Sequence, residues 1–177
     1  MKKQIKIAFA ALACVCTLAA CRGKEVTAAE ARDGIKELTL EKAQEKYTKG
    51  KVSVKVTINK ASGDDAKKDA EDIKEAAKKA DGQEISKDEM AFYFVSGAID
   101  DSGLSNLVGE TKYYLNGTAL TVVGEYSMSV GGNSMAIKGE TRYNKEGLET
   151  YEKSVSERKT DGYELKYTVV SKISWSK

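Results

Sequence analysis

The sequence NGTALTVVGEYSMSVGGNSMAIKGETRY, residues 116–143, decides the fold of this chain. On either side of Gly131-Gly132, apolar and polar residues alternate, which is the pattern of two half-buried β-strands joined by a turn. Asn116-Gly117 is a strong hairpin signal, because a type I′ turn needs positive φ at both central positions. Gly124 and Gly139 interrupt the two strands and predict a bend where they lie near each other. The stretch therefore predicts consecutive, curved antiparallel strands.

The same alternation extends in both directions along the chain. The final strand is predicted after the turn Thr160-Asp161-Gly162, with one face formed by Tyr163, Leu165, Tyr167, Val169, Ser171, Ile173 and Trp175. An earlier half-buried strand is predicted where polar residues alternate with Val52, Val54, Val56 and Ile58. A further strand is predicted around Phe92 and Phe94, ending near Ser96-Gly97.

Two helical regions precede most of these strands. Thr27-Ala28-Ala29-Glu30 is a capping box, so a helix is predicted to begin there, with a second short helical turn after Thr39. Residues 64–80 favour a helix in which Ile73 is the only large apolar side chain among many charges. The fold class is therefore predicted as α+β, a curved antiparallel meander of about six to seven strands packed by an N-terminal helix and a second, charged helix.

The composition excludes several classes of function. The chain has no histidine and no proline, and it has 29 Lys+Arg against 27 Asp+Glu. Without histidine, His-based acid–base catalysis and most zinc or copper sites are excluded, and no metal site or cofactor is predicted. A near-neutral surface of mixed charge gives no support for nucleic-acid binding. We therefore expect neither a cofactor nor a nucleic-acid partner.

The N-terminal segment has the three parts of an export signal. Positive residues lead into an uncharged, mostly apolar run from Ile7 to Leu18, and Ala19-Ala20-Cys21 follows. This segment resembles the lipobox of bacterial lipoproteins, which implies cleavage before Cys21 and a diacylglycerol on its thiol. An ordinary secretory signal that contains Cys21 is the alternative. The resemblance divides the chain into a signal peptide (1–20), a lipidated cysteine with a short tether (21–26) and a single domain (27–177).

The lipobox resemblance also implies a location. Two or three acyl chains give durable membrane attachment, whereas one chain gives only marginal binding. Arg22 follows Cys21 at the position where many lipoproteins kept at the Gram-negative inner membrane have Asp. We therefore expect an exported protein, anchored through Cys21 to the outer membrane of a double-membraned cell or to the cell membrane of a single-membraned one. Cys14 and Cys16 would leave with the signal, so no disulfide is predicted in the domain.

No catalytic set is evident, and the protein is not predicted to be an enzyme. Ser174-Trp175-Ser176-Lys177 matches Ser-x-x-Lys only by coincidence, because that motif needs its Lys one helical turn from the Ser. A hydrolase that uses only carboxylates is the remaining enzymatic hypothesis, and its candidates are Glu110, Glu125, Glu140 and Glu149. Nothing in the sequence indicates that two of them converge.

Binding is the function that the sequence favours. The order of helix, strand and long antiparallel sheet after a lipobox resembles the LolA/LprG-like lipoproteins, whose half-barrels hold acyl chains. This resemblance implies a non-enzymatic domain for a lipid or other hydrophobic small molecule, with candidate wall residues Val54, Val56, Tyr126, Met128, Tyr167 and Val169. The apolar and tyrosine-rich face serves ordinary core packing equally well. The alternative function is an envelope module that binds a protein partner and has no small-molecule ligand.

Overall fold

A computed structural model describes residues 23–97 and 108–177 of the chain, and the predicted signal peptide and Cys21 lie outside these ranges. The described residues form one sheet in which every neighbouring pair of strands is antiparallel. The strands are β1 (Lys24–Val26), β2 (Lys49–Ser62), β3 (Glu84–Ile85), β4 (Val108–Asn116), β5 (Ala119–Val130), β6 (Asn133–Tyr143), β7 (Glu149–Thr160) and β8 (Tyr163–Ser176). Their order across the sheet is β1-β4-β5-β6-β7-β8-β2-β3.

The α+β class and the meander are confirmed. Strands β4 to β8 follow one another in the sheet as they do along the chain, and the open sheet is curved. The predicted number of about six to seven strands is too low, because the described part of the chain contains eight. The short strands β1 and β3 lie at the two edges, and neither has the length that a period-two pattern needs to be recognised. Strand β1 falls within residues 21–26, the predicted tether.

The strand predicted at Phe92 and Phe94 is wrong. Two 3-10 helices occupy this region, Asp88–Tyr93 and Val95–Gly97, and only Phe94 forms an isolated bridge, with Leu148. The backbone N–H and the hydroxyl of Ser86 both donate to the Glu89 carboxylate, at 2.8 and 2.6 Å, which fixes the chain into the turn that begins the first 3-10 helix. Phe92 is 85% exposed, so the spacing of the two phenylalanines does not mark a buried face.

Three α-helices accompany the sheet: α1 (Ala28–Ile35), α2 (Leu40–Lys46) and α3 (Asp64–Ala80). The predicted capping box is present at the start of α1, where the Glu30 amide donates to the Thr27 hydroxyl at 3.2 Å and the Thr27 amide donates to the Glu30 carboxylate at 2.8 Å. Thr39 caps α2, also as predicted. The charged helix α3 has the predicted bounds.

All three α-helices lie on the same face of the sheet, which we call the helix-bearing face. Ala31 of α1 packs with Tyr113 and Leu120 at one end, and Ala43 of α2 packs with Met90 and Leu148 beside that cluster. At the other end of the sheet, α3 packs on the residues around Leu165. The helices therefore cover the two ends of the face and contact mainly its outer strands, β4 and β5 on one side and β2 and β8 on the other.

The opposite face of the sheet is polar. Cross-strand ion pairs connect its strands, including Lys138 with Glu125 at 2.8 Å and Lys166 with Glu157 at 2.6 Å. In both pairs the two residues are direct partners in the strand register. Such exposed pairs contribute only about 0–1 kcal/mol each, so apolar packing on the helix-bearing face contributes more to stability.

Candidate functional site

The candidate site is a groove between α3 and strands β6, β7 and β8. Its volume is about 370 Å³, which falls within the ordinary range for small-molecule sites. Apolar side chains contribute much of its wall, namely Ile73, Met135, Leu165, Tyr163 and Tyr167. Polar and charged residues complete it, namely Asp69, Asp72, Ser156, Arg158 and Glu157, although the register directs the Glu157 side chain to the opposite face of the sheet.

Small residues on α3 place the helix close to the sheet. Ala66 and Ala70 are fully or almost fully buried, and both pack against the cluster around Leu165. Ile73 follows Ala70 by three positions, so it lies on the same side of the helix and is partly buried against the same cluster. The helix thus contacts the sheet closely through its first half, and Ile73 forms the wall of the groove.

The turns at this end of the molecule fix the position of α3. Gly63 precedes the helix with φ +95°, and a Cβ atom at this position would overlap the carbonyl oxygen of Gly162 in the β7–β8 turn. The backbone before α3 therefore passes directly against that turn, at a distance that only glycine allows. Tyr163, the residue after Gly162, lies at the mouth of the groove as a result.

Tyr163 joins the two sides of the groove. Its hydroxyl donates to the Asp69 carboxylate at 2.8 Å, which connects β8 to α3. The guanidinium carbon of Arg158 lies 5.5 Å from the centre of the Tyr163 ring, within the range of a cation–π contact. Burial and the hydrogen bond to Asp69 both raise the pKa of Tyr163 above its usual value, so the hydroxyl stays protonated and donates.

The strand register places all six predicted wall residues on the helix-bearing face. Val56 lies directly opposite Val169, and Tyr167 lies opposite Ile58. Of the six, Tyr167 lines the groove. Val54, Val56 and Val169 lie further along the same face, towards the end covered by α1 and α2.

Tyr126 and Met128 lie on the same face, at the side of the sheet away from α3. The Tyr126 hydroxyl forms a hydrogen bond with Thr111, and its ring occupies the space above Gly124, where a Cβ atom would come within 2.6 Å of it. Met128 lies opposite Met135 in the register and is 40% exposed. Met135 also lines the groove, so Met128 extends its apolar wall towards the β5–β6 turn.

One row of side chains connects Tyr126 with the groove. Across four strands, Tyr126, Ile137, Ser156 and Tyr167 are successive partners in the register. In the neighbouring row, Gly124 lies directly opposite Gly139, as predicted. A Cβ atom at Gly139 would meet only a backbone oxygen, at 3.9 Å, so the face is open above this position among the described residues.

Sequence reasoning missed most of the groove. Ile73 is the only large apolar residue of α3, and that isolation is the one signal in the sequence that points to a contact surface on this helix. Arg158, Asp69 and Met135 give no such signal. They share a site only because α3 packs against this particular end of the sheet.

The four glutamates of the hydrolase hypothesis do not form one cluster, and the two that lie side by side, Glu110 and Glu125, are on the exposed polar face beside lysines and outside the groove. Glu110 and Glu125 are direct partners in the register on the polar face, where Lys138 pairs with Glu125. Glu140 also lies on that face, beside Arg142. Within residues 23–97 and 108–177, no group of three acidic or cysteine side chains is arranged to hold a metal ion.

Glu149 differs from the other three because it lies among aromatic side chains on the helix-bearing face. It interacts electrostatically with Tyr93, Tyr143 and Glu152. Burial, and to a lesser degree the charge of Glu152, raises the pKa of Glu149 to about 7. Burial also raises the pKa of Tyr143 to about 12, so Tyr143 is neutral at neutral pH, whereas Glu149 is about half protonated there and largely neutral only at lower pH.

No helix in the described part of the chain has the length and apolar character needed to cross a membrane. Comparisons with protein-family models, with curated proteins and with solved structures give no match for this sequence.

Proposed function

We propose that this protein is a lipoprotein, anchored to the membrane through Cys21, whose domain binds a hydrophobic ligand without transforming it chemically. The observation that carries the proposal is the groove of about 370 Å³ between α3 and the sheet. Its floor is apolar, its rim is charged, and its Tyr167 belongs to the wall expected from the LolA/LprG-like resemblance. A site of this composition suits a molecule with a long apolar part.

The remainder of the helix-bearing face supports the same proposal. Tyr126 and Ile137 continue the wall of the groove across the sheet, and no described side chain lies within 4 Å of the position that a Cβ atom would take at Gly139. These side chains are only half-buried, although they lie on the face that contains the core. Apolar side chains that are only half-buried at the centre of a sheet favour the binding of an apolar ligand that covers them.

Native mass spectrometry of the chain starting at Arg22, purified from a bacterial host, tests the proposal. We expect a lipid-sized adduct that is released on denaturation. Ile73→Asp should abolish the adduct, because it places a charge in the groove wall. Ala76→Asp is the matched control, since Ala76 is exposed on the same helix and does not line the groove.

If Ile73→Asp does not fold, a second variant tests the loss of the adduct. Ser156→Phe narrows the groove without adding charge, and circular dichroism verifies that the sheet is retained. A bare wild-type mass, together with no binding of added alkyl probes, would exclude the proposed function.

A protein-binding role in the cell envelope is the second candidate, and one observation favours it. The β5–β6 hairpin ends in residues 127–137, which contain no charged residue in a chain that is 32% charged. At its tip, Met128 and Val130 are 40% and 65% exposed. A bare mass combined with cross-linking of the anchored protein to a partner, lost in Val130→Asp, would support this role.

A further inference from the structure

The charges at the rim of the groove carry an inference about the class of ligand, and this inference rests on the proposed function. Arg158 lies on the β7 side of the groove, and Asp69 and Asp72 lie on the α3 side. The two edges of the opening therefore have opposite charges. An amphiphile whose apolar part fills the groove would place its polar end between them.

These charged groups are available to a ligand. Neither Arg158 nor Asp72 forms an ion pair with another described residue, and Arg158 instead lies over the ring of Tyr163. Asp69 accepts the Tyr163 hydroxyl through Oδ2, and its Oδ1 has no described partner. Glu157 is different, because its side chain lies on the opposite face of the sheet, where Lys166 pairs with it at 2.6 Å. The unpaired charges at the rim are thus one cation and two carboxylates.

The size of the groove limits the apolar part. The volume of about 370 Å³ lies at the small end of the range for small-molecule sites, and the groove is open to solvent. It therefore suits one alkyl chain better than several. A ligand with two or three long chains would extend out of the groove.

We propose that the groove binds a single-chain amphiphile with a zwitterionic head. The anionic group of the head pairs with the guanidinium of Arg158, and its cationic group lies against Asp72 and Asp69. The guanidinium of Arg158 donates charge-assisted hydrogen bonds, which are roughly twice as strong as neutral ones, and the carboxylates attract the cationic group electrostatically, so the head would satisfy both edges of the groove together. A head with a single charge would satisfy one edge and be repelled by the other.

Isothermal titration calorimetry of the chain starting at Arg22 tests this proposal with three dodecyl probes below their micelle concentrations. Dodecylphosphocholine is zwitterionic, dodecyl sulfate is anionic and dodecyltrimethylammonium is cationic. We expect dodecylphosphocholine to bind about tenfold more tightly than either of the others, because its phosphate accepts hydrogen bonds from Arg158 while its trimethylammonium group, which has no N–H, is attracted electrostatically to the carboxylates, whereas each of the other heads interacts favourably with one edge only.

Two variants test which residue of the groove interacts with each charge of the head. Arg158→Gln should remove the preference for dodecylphosphocholine over the cationic probe, and Asp72→Asn should reduce its preference over the anionic probe, because Asp69 remains. Lys159→Gln is the control, because Lys159 is exposed, neighbours Arg158 in sequence and does not line the groove. Its affinities for all three probes should equal those of the wild type.

The possible failures of the two proposals are distinguishable. Equal affinity for the three probes, or a preference for a singly charged head, would overturn the zwitterionic head and leave the proposed function intact. Binding of none of the three probes would overturn the proposed function as well.

Discussion

Glu149 is the residue whose ionisation most opposes folding. Its pKa is about 7 in the folded protein against an ordinary value of 4.5, so folding favours the protonated form. The stability that protonated Glu149 contributes is fully present below about pH 4.5, and it is lost as the pH rises towards 7. The carboxyl group is partly exposed, and after a discount for solvent screening the loss is about 2 kcal/mol.

Glu149→Gln therefore should stabilise the protein at pH 8 by about 2 kcal/mol and change its stability little at pH 4.5. Urea unfolding of both proteins at the two pH values measures this difference. Glu152→Gln is the control, because Glu152 is exposed and is the smaller cause of the raised pKa. Equal stabilisation by Glu149→Gln at both pH values would show that ionisation is not the cause.

Among the elements, α3 depends most on one backbone position. Gly63 has φ +95° and ψ 152°, a conformation that is almost confined to glycine, and a Cβ atom there would overlap the Gly162 carbonyl oxygen. Gly63→Ala should therefore destabilise the protein by about 3 kcal/mol, through backbone strain and displacement of the β7–β8 turn. The groove forms at this contact, so probe binding should weaken as well.

Gly82→Ala is the matched control at the other end of α3. Gly82 also has positive φ, at +79°, but a Cβ atom there would meet nothing within 4 Å. Gly82→Ala should therefore destabilise the protein only through backbone strain, by about 1–2 kcal/mol. Thermal unfolding compares the two variants, and equal losses would mean that the contact with Gly162 contributes nothing.

The elements also show what a sequence can predict. The bounds of α3 were predictable because Gly63 and Gly82 border a continuous helical run, and the hairpins were predictable from Asn116-Gly117 and the later glycine turns. The 3-10 helices were missed because Phe92 and Phe94 have the spacing of a strand face, while the Ser86–Glu89 contact that fixes the turn is a local hydrogen bond. The groove could not be predicted from the sequence, because its residues come from a helix and three strands that only the tertiary packing brings together.

At the scale of the whole molecule, the first described residue, Gly23, and the groove lie at opposite ends of the sheet. Gly23, two residues after Cys21, lies against the backbone of Leu115 beside the β4–β5 turn. The groove lies near the β7–β8 turn, with Met135 opposite Met128. Leu120, the partner of Leu115, and Met128 are both on β5, and the eight residue-to-residue steps from one to the other span about 26 Å at roughly 3.3 Å per step.

If Cys21 holds the lipid, the β4–β5 turn is close to the membrane and the groove opens away from it. Cys21 is the only cysteine after the predicted signal, and its lipidated thiol is blocked, so a cysteine introduced at Asn116 or Asp161 would be the single labelling site. A fluorophore at residue 116 should be quenched strongly by a quencher in the lipid headgroups, whereas one at residue 161 should be quenched weakly. Cys21→Ser should remove the protein, and the quenching, from the vesicles. Equal quenching at the two positions would mean that the domain lies along the membrane and that the groove does not open away from it.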